Sequence, residues 1–232
     1  MQTIIITDCE TTGLDPATCK TIEVAACLYD VERATPIEWY SGMLFAESND
    51  AEVINKIPAS LLATLPDGTR AWNHVAEMVE LAERRGPACY VAHRAEFDRG
   101  FYPRALAERL PWACSKFGIE WPRGGIGESC VGLALAHDVP VTGAHRAMTD
   151  VTLLVRVFQR AAELGADVPT MVARALRPRV RFVVAERRFD AARNALVKKH
   201  GFAWDAARRE WMREMPREDA SELPFSVIEV RA

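Results

Sequence analysis

The chain has 232 residues, of which 49% are hydrophobic and 26% charged, with 29 Lys+Arg against 32 Asp+Glu for a formal net charge of -3. That length and apolar content suffice for one large α/β domain, or for one domain with an appendage. No apolar run is long enough to cross a bilayer and no basic region precedes a hydrophobic stretch at the N-terminus, so a cytoplasmic protein without a membrane partner is expected.

Six cysteines (Cys9, Cys19, Cys27, Cys89, Cys114, Cys130) form no Cys-x-x-Cys pair. This argues against a zinc site and fits a reducing compartment. Charge is unevenly spread: residues 1–176 hold 16 Lys+Arg against 23 Asp+Glu, residues 177–217 hold 12 against 5, and the last fifteen hold 1 against 4. An acidic body suited to attracting metal is thus followed by a basic segment suited either to phosphate or to a solvated helix face.

In chain order, Ile4-Ile5-Ile6 reads as a buried central strand with Asp8 and Glu10 at its carboxyl end. Residues two apart on a strand project from one face, so both carboxylates point the same way. Two adjacent anions are unfavourable without positive charge, and oxygen-only ligands suit Mg²⁺ or Mn²⁺. Thr11-Thr12-Gly13 adds hydroxyls, backbone N–H groups and a glycine for close approach, suited to gripping a substrate. Strands are expected over Thr21 to Asp30 and Pro36 to Phe45, with short connections that favour antiparallel pairing. Helical patterns follow over Pro58 to Leu65 and Ala71 to Arg85, broken at Pro66-Asp67-Gly68. Cys89 to Ala92 is a short buried strand delivering the chain to Phe97-Asp98, at the start of a helical run to Leu110. Trp112 to Ser115 is a further strand, and the Gly-rich loop Pro122 to Gly127 lacks the Lys-Ser or Lys-Thr of a phosphate cradle. Ser129 caps a helix to about His137, and a long helix ends near Leu164. His145 and Asp150, five apart, would not share a helix face, so His145 is expected on the loop before that helix, free to swing and suited to general-base work.

Three stretches together resemble the DEDDh exonucleases, the group that includes the proofreading subunit of bacterial replicative polymerases and RNase T. They are Asp8-Cys9-Glu10-Thr11-Thr12-Gly13-Leu14-Asp15, Ala92-His93-Arg94-Ala95-Glu96-Phe97-Asp98 and His145-Arg146-Ala147-Met148-Thr149-Asp150. The resemblance covers about residues 1–165 and implies an RNase H-like α/β fold, a mixed five-stranded sheet flanked by helices. It implies that Asp8, Glu10, Asp98 and Asp150 bind two divalent ions, with Asp8 bridging them and Asp98 acting largely through waters, and that His145 is the general base. It further implies that Thr11, Thr12, Gly13, Leu14 and Phe97 contact the terminal nucleotide, and that the product is a nucleoside monophosphate released from a 3′ end. One departure is Arg94, where the family commonly has Asn; the Asn role is not transferred, and Arg94 would reach a substrate phosphate or point to solvent.

The expected division is a catalytic domain over 1–170 and a small basic α+β module over 178–232. In the module, Val180 to Ala185 and Phe225 to Val230 read as strands, Asp190 to Lys199 as a helix closed by Gly201, and Phe202 to Arg213 as a hairpin. It resembles a small module at the C-terminus of some bacterial and phage exonuclease-like proteins. Trp204 and Trp211, interleaved with Lys198, Lys199, Arg208, Arg209 and Arg213, would either stack bases and neutralise phosphates or form the module's core. No segment from 165 to 232 resembles a clamp-binding linker, which disfavours the replicative proofreader itself. The leading expectation is a 3′-to-5′ exonuclease on single-stranded DNA or DNA 3′ ends. RNA 3′-trimming, or nucleic-acid binding with a decayed site, are the alternatives, and both a monomer and a homodimer stay open.

Overall fold

The computed structural model describes residues 2–124, 126–143, 145–186 and 190–230. Gly125 of the expected Gly-rich loop, and residues 187–189 and 231–232 of the expected module, lie outside them. The first strands are β1 (Thr3–Thr11), β2 (Thr21–Asp30) and β3 (Thr35–Met43), followed by helices α1 (Glu52–Asn55), α2 (Ala59–Leu62) and α3 (Thr69–Arg84). Next come β4 (Ala88–Ala92), α4 (Ala95–Phe101), α5 (Arg104–Ala107), β5 (Trp112–Cys114), α6 (Cys130–Ala136), α7 (Ala147–Glu163) and α8 (Val168–Ala175). The five strands form one sheet in the order β3-β2-β1-β4-β5. β2 runs antiparallel to β1 and β3, whereas β1, β4 and β5 are parallel. This is the mixed, helix-flanked sheet of the RNase H-like expectation.

Alternation along β1 divides the core. Ile4 and Ile6 pack with Ala25, Cys27 and Tyr29 of β2 against the buried face of α7, while Ile5 and Cys9 pack with Val24, Ala26 and Leu28 against α3. Being covered on both faces is why β1 reads as an unbroken apolar run.

One feature differs from the sequence reading. The helix expected to reach Leu110 is two short ones, because Pro103 lacks an N–H and drives Tyr102 into extended geometry (φ -75, ψ 147). Val168, Val172 and Ala175 of α8 belong to the same core as α7.

A second sheet follows, built from β6 (Arg179–Val184), β7 (Ala203–Asp205), β8 (Glu210–Pro216) and β9 (Val227–Val230) in the antiparallel order β7-β8-β6-β9. Its helix, α9 (Ala191–Lys199), starts where the Asp190 carboxylate accepts from the Arg193 N–H at 3.0 Å and is followed by Gly201 at φ 76. Phe182, Val184, Val197, Phe202 and Met215 form its own small core. Arg179 Nη2 donates to the Phe117 carbonyl at 2.8 Å and so ties β6 to the first unit.

Candidate active site

The parity that sends Ile4 and Ile6 under α7 sends Asp8 and Glu10 out along the same face, where the apolar row ends in two carboxylates. A register shift between Glu10 and Thr11 marks a bulge at this end of β1. Asp150 arrives from the first turn of α7. One carboxylate oxygen each from Asp8, Glu10 and Asp150 lie within 4.8 Å of one another. Asp98, in the first turn of α4 and 2% exposed, stands outside that trio, its Oδ1 accepting from the Cys9 N–H at 3.0 Å.

These acids repel one another in a partly buried site. Burial first, then the charges of Asp98, Asp150 and Glu10, pushes Asp8 well above the ordinary carboxylate range. Burial, then Asp150 and Glu23, raises Glu10 to about 7 against the opposing pull of Arg146. Burial raises Asp98 to about 7 despite the Cys9 N–H, and raises Asp150 despite the His145 N–H. A half-buried, all-oxygen cluster that resists ionising fits a hard divalent cation, whose charge removes that penalty.

A pH effect follows with a definite sign. Glu10 holds its proton more tightly folded than unfolded, so its contribution to stability is present below about 4.5 and is lost as pH rises through about 7. In EDTA the melting temperature is expected to fall between pH 5 and pH 8, and Mg²⁺ to restore more of it at pH 8 than at pH 5. Melts at both pH values, with and without the ion, measure this; an equal Mg²⁺ effect at both would count against the cluster as the binding site.

His145 lies on the turn just ahead of α7, exposed, at φ 61. Its backbone N–H donates to Asp150 Oδ2 at 3.0 Å, which orients the carboxylate; among the described residues the imidazole makes no hydrogen bond. The next residue anchors the turn. Arg146 Nε and Nη2 each donate to the Glu23 carboxylate at 2.9 Å, and the Ala147 N–H donates to it at 3.1 Å. Glu23, 3% exposed on β2, sits directly opposite Glu10 across the sheet. The Arg146 guanidinium therefore offsets a like-charge cross-strand pair as well as fixing the start of α7.

The expected substrate-gripping residues gather at the same end of β1. Their hydroxyls are engaged locally: Thr11 Oγ1 donates to the Gly13 carbonyl at 2.6 Å, and Thr12 Oγ1 accepts from the Lys20 N–H at 3.0 Å. Gly13 answers a close approach by Cys19 Sγ, 2.6 Å from where a Cβ would stand. Leu14 is 79% exposed. Phe97 packs on Phe101 with ring centroids 4.9 Å apart, and the Arg94 guanidinium lies over the Phe97 ring at 5.6 Å.

Sequence reasoning assigned no role to Glu23, Asn55 or His93. Asn55, 1% exposed, donates to the Thr11 carbonyl at 3.2 Å and accepts from Asn49 Nδ2 at 2.9 Å, pinning the α1 segment over the end of β1. His93 Nε2 donates to the Glu128 carbonyl at 2.9 Å, so its Nδ1 accepts from the Ser115 hydroxyl at 2.9 Å. Burial holds that imidazole neutral, with its pKa lowered to about 4. Elsewhere His74 stacks on Tyr40 at 4.2 Å and His137 is fully buried beside Trp121.

A family model described as "Domain of unknown function (DUF8626)" matches residues 188–230. Over 182 residues the chain is 28% identical to the DNA polymerase III PolC-type of Staphylococcus epidermidis, covering 71% of this chain and 12% of that protein. The chain thus spans a small part of the length of the curated relatives it matches. Among solved structures, Exonuclease X in complex with 5′ overhanging duplex DNA aligns with a TM-score of 0.53 at 22% identity, covering 74% of this chain and 99% of that one. The nuclease domain of 3′hExo, a DEDDh family member bound to rAMP, aligns at 0.57 and 14%, covering 72% and 94%. E. coli Exonuclease I in complex with a dT13 oligonucleotide aligns at 0.55 and 18%, covering 86% and 51%. The fold is that of the DEDDh-type 3′-5′ exonucleases.

Proposed function

We propose that this chain is a DEDDh 3′-to-5′ exonuclease that hydrolyses DNA, at single strands or 3′ ends, to nucleoside monophosphates with divalent metal ions. The observation that carries the reading is the convergence of Asp8, Glu10 and Asp150 within 4.8 Å, from two elements 140 residues apart in sequence, beside a solvent-facing histidine. Asp8, Glu10 and Asp150 would hold the metal directly, with Asp98 behind them. Two ions held there would supply a water nucleophile near neutral pH and stabilise the leaving 3′-oxygen. His145 accepts the proton of the attacking water at an imidazole nitrogen. Exposed Leu14 and the Phe97–Arg94 pair would pack the terminal nucleotide, with Arg94 bringing a positive charge to its phosphate side. Glu23 and Arg146 act by holding the turn that carries His145 and Asp150.

The decisive assay is a time course on 5′-labelled DNA and RNA oligonucleotides of one sequence, in Mg²⁺ and in EDTA, for the wild type and Asp8→Asn. A ladder shortening from the 3′ end of the DNA, lost in EDTA and in the variant, is the expected result. A ladder on RNA alone would transfer the reading to RNA 3′-trimming, and tight binding with no ladder on either would leave a binding protein.

A further inference from the structure

A groove of about 510 Å³ opens between α9 and the β7–β8 hairpin of the second sheet. Val184, Phe202, Trp204 and Trp211 supply its apolar lining, and Lys198 and Arg209 its cations. The two tryptophans are cross-strand partners, edge to face with centroids 5.5 Å apart. They are not equivalent. Trp211 packs against the module's core, whereas Trp204 is 49% exposed and outside that cluster. A half-exposed indole beside an apolar hollow offers a flat face to a planar guest.

Charge narrows the guest. The groove's two acids are neutralised from outside it, Glu186 by Arg193 at 3.2 Å and Glu210 by Arg181 at 3.8 Å. Among the described residues no carboxylate lies within 4.0 Å of Lys198 or Arg209, and Lys198 Nζ stands 5.7 Å over the Trp211 ring. An apolar aromatic slot with unneutralised cations, in a segment with 12 Lys+Arg against 5 Asp+Glu, matches a ring joined to an anion.

We propose that this groove is a binding subsite for single-stranded nucleic acid, stacking one base on Trp204 with the adjoining phosphate against Lys198 and Arg209. It lies on a different sheet from the acidic trio and would hold strand beyond the nucleotides being cleaved. The inference rests on the reading of the chain as a nucleic-acid enzyme, and the experiment separates the two.

Binding of 5′-fluorescein oligo(dT) and oligo(U) 12-mers is measured by anisotropy on the full chain carrying Asp8→Asn to prevent cleavage. Adding Trp204→Ala should weaken binding about tenfold, equivalent to about 1.4 kcal/mol, with Trp204→Phe close to the parent. Lys198→Ala should lower the magnitude of the log–log salt slope by about 0.7 for a single strand. With Asp8 restored, Trp204→Ala should cleave a labelled dinucleotide at the wild-type rate. Unchanged 12-mer affinity in Trp204→Ala overturns the subsite, as does an equal loss on the dinucleotide, which would trace the effect to the fold. If the Asp8 protein cleaves nothing yet Trp204→Ala still costs tenfold in binding, the subsite stands and the nuclease reading falls. Cleavage with unchanged 12-mer affinity gives the reverse.

Discussion

His145→Gly is expected to lower kcat on a DNA oligonucleotide by about 10²- to 10⁴-fold, the range for a general base, with little change in melting temperature. The backbone makes this a clean substitution. His145 holds φ 61, a left-handed conformation costing about 1–2 kcal/mol in a residue with a Cβ, which glycine removes at an entropic cost of about 0.5–1 kcal/mol. The balance is small, about 1 kcal/mol or less in favour of glycine. What orients Asp150 is the His145 N–H rather than its ring, and glycine keeps that bond. The carboxylates proposed to hold the metal should therefore stay in place, with KM and the Mg²⁺ requirement near wild type, while the pH–rate profile loses the limb that reports the base. A glycine variant with wild-type turnover would remove the imidazole from the chemistry. A variant that loses Mg²⁺ binding as well would point to the turn rather than the ring.

The parts of the site visible in sequence are those set by local periodicity. Three isoleucines followed by Asp8 and Glu10 two apart state both the strand and the shared face of the acids, since strand parity needs no tertiary knowledge. The placement of His145 ahead of α7 follows from its spacing to Asp150 in the same way. Glu23 shows the opposite case. An acid inside the apolar run of β2 signals a buried charge that needs a partner, but its partner lies 123 residues away and only the packing of α7 across the sheet brings them together. The segment around Asn55 carried no periodic signal, because a four-residue helix is too short to show one and is held by side-chain amides. The tryptophans of the second sheet were legible as a pair. Which of them is core was not, because β7 has only three residues and the answer depends on how α9 covers the hairpin.

Arg146→Ala should cost about 3 kcal/mol in urea unfolding, the lower end of the range for stripping one partner from a buried ion pair. Glu23 is buried and faces Glu10 across the β1–β2 ladder, so losing the guanidinium leaves two like charges opposed, with the Ala147 N–H and a long 3.4 Å bond from the Ser41 hydroxyl to answer one of them. The estimate stays low in that range because the Arg146 side chain is 45% exposed and water can enter where it stood. Glu23→Gln should be milder, about 1 kcal/mol, the net worth of a typical hydrogen bond. Its amide oxygen still accepts from Arg146 and Ala147, the like-charge opposition to Glu10 is gone, and the half-exposed arginine can turn to solvent. Both should lower kcat, since the pair fixes the turn bearing His145 and the start of the helix bearing Asp150. The ranking is diagnostic: if Glu23→Gln destabilised as much as Arg146→Ala, the contact would be an ordinary buried pair. A larger loss in Arg146→Ala, partly recovered in Mg²⁺, would identify Arg146 as the fixed cation that lets Glu10 and Glu23 share one face of the sheet.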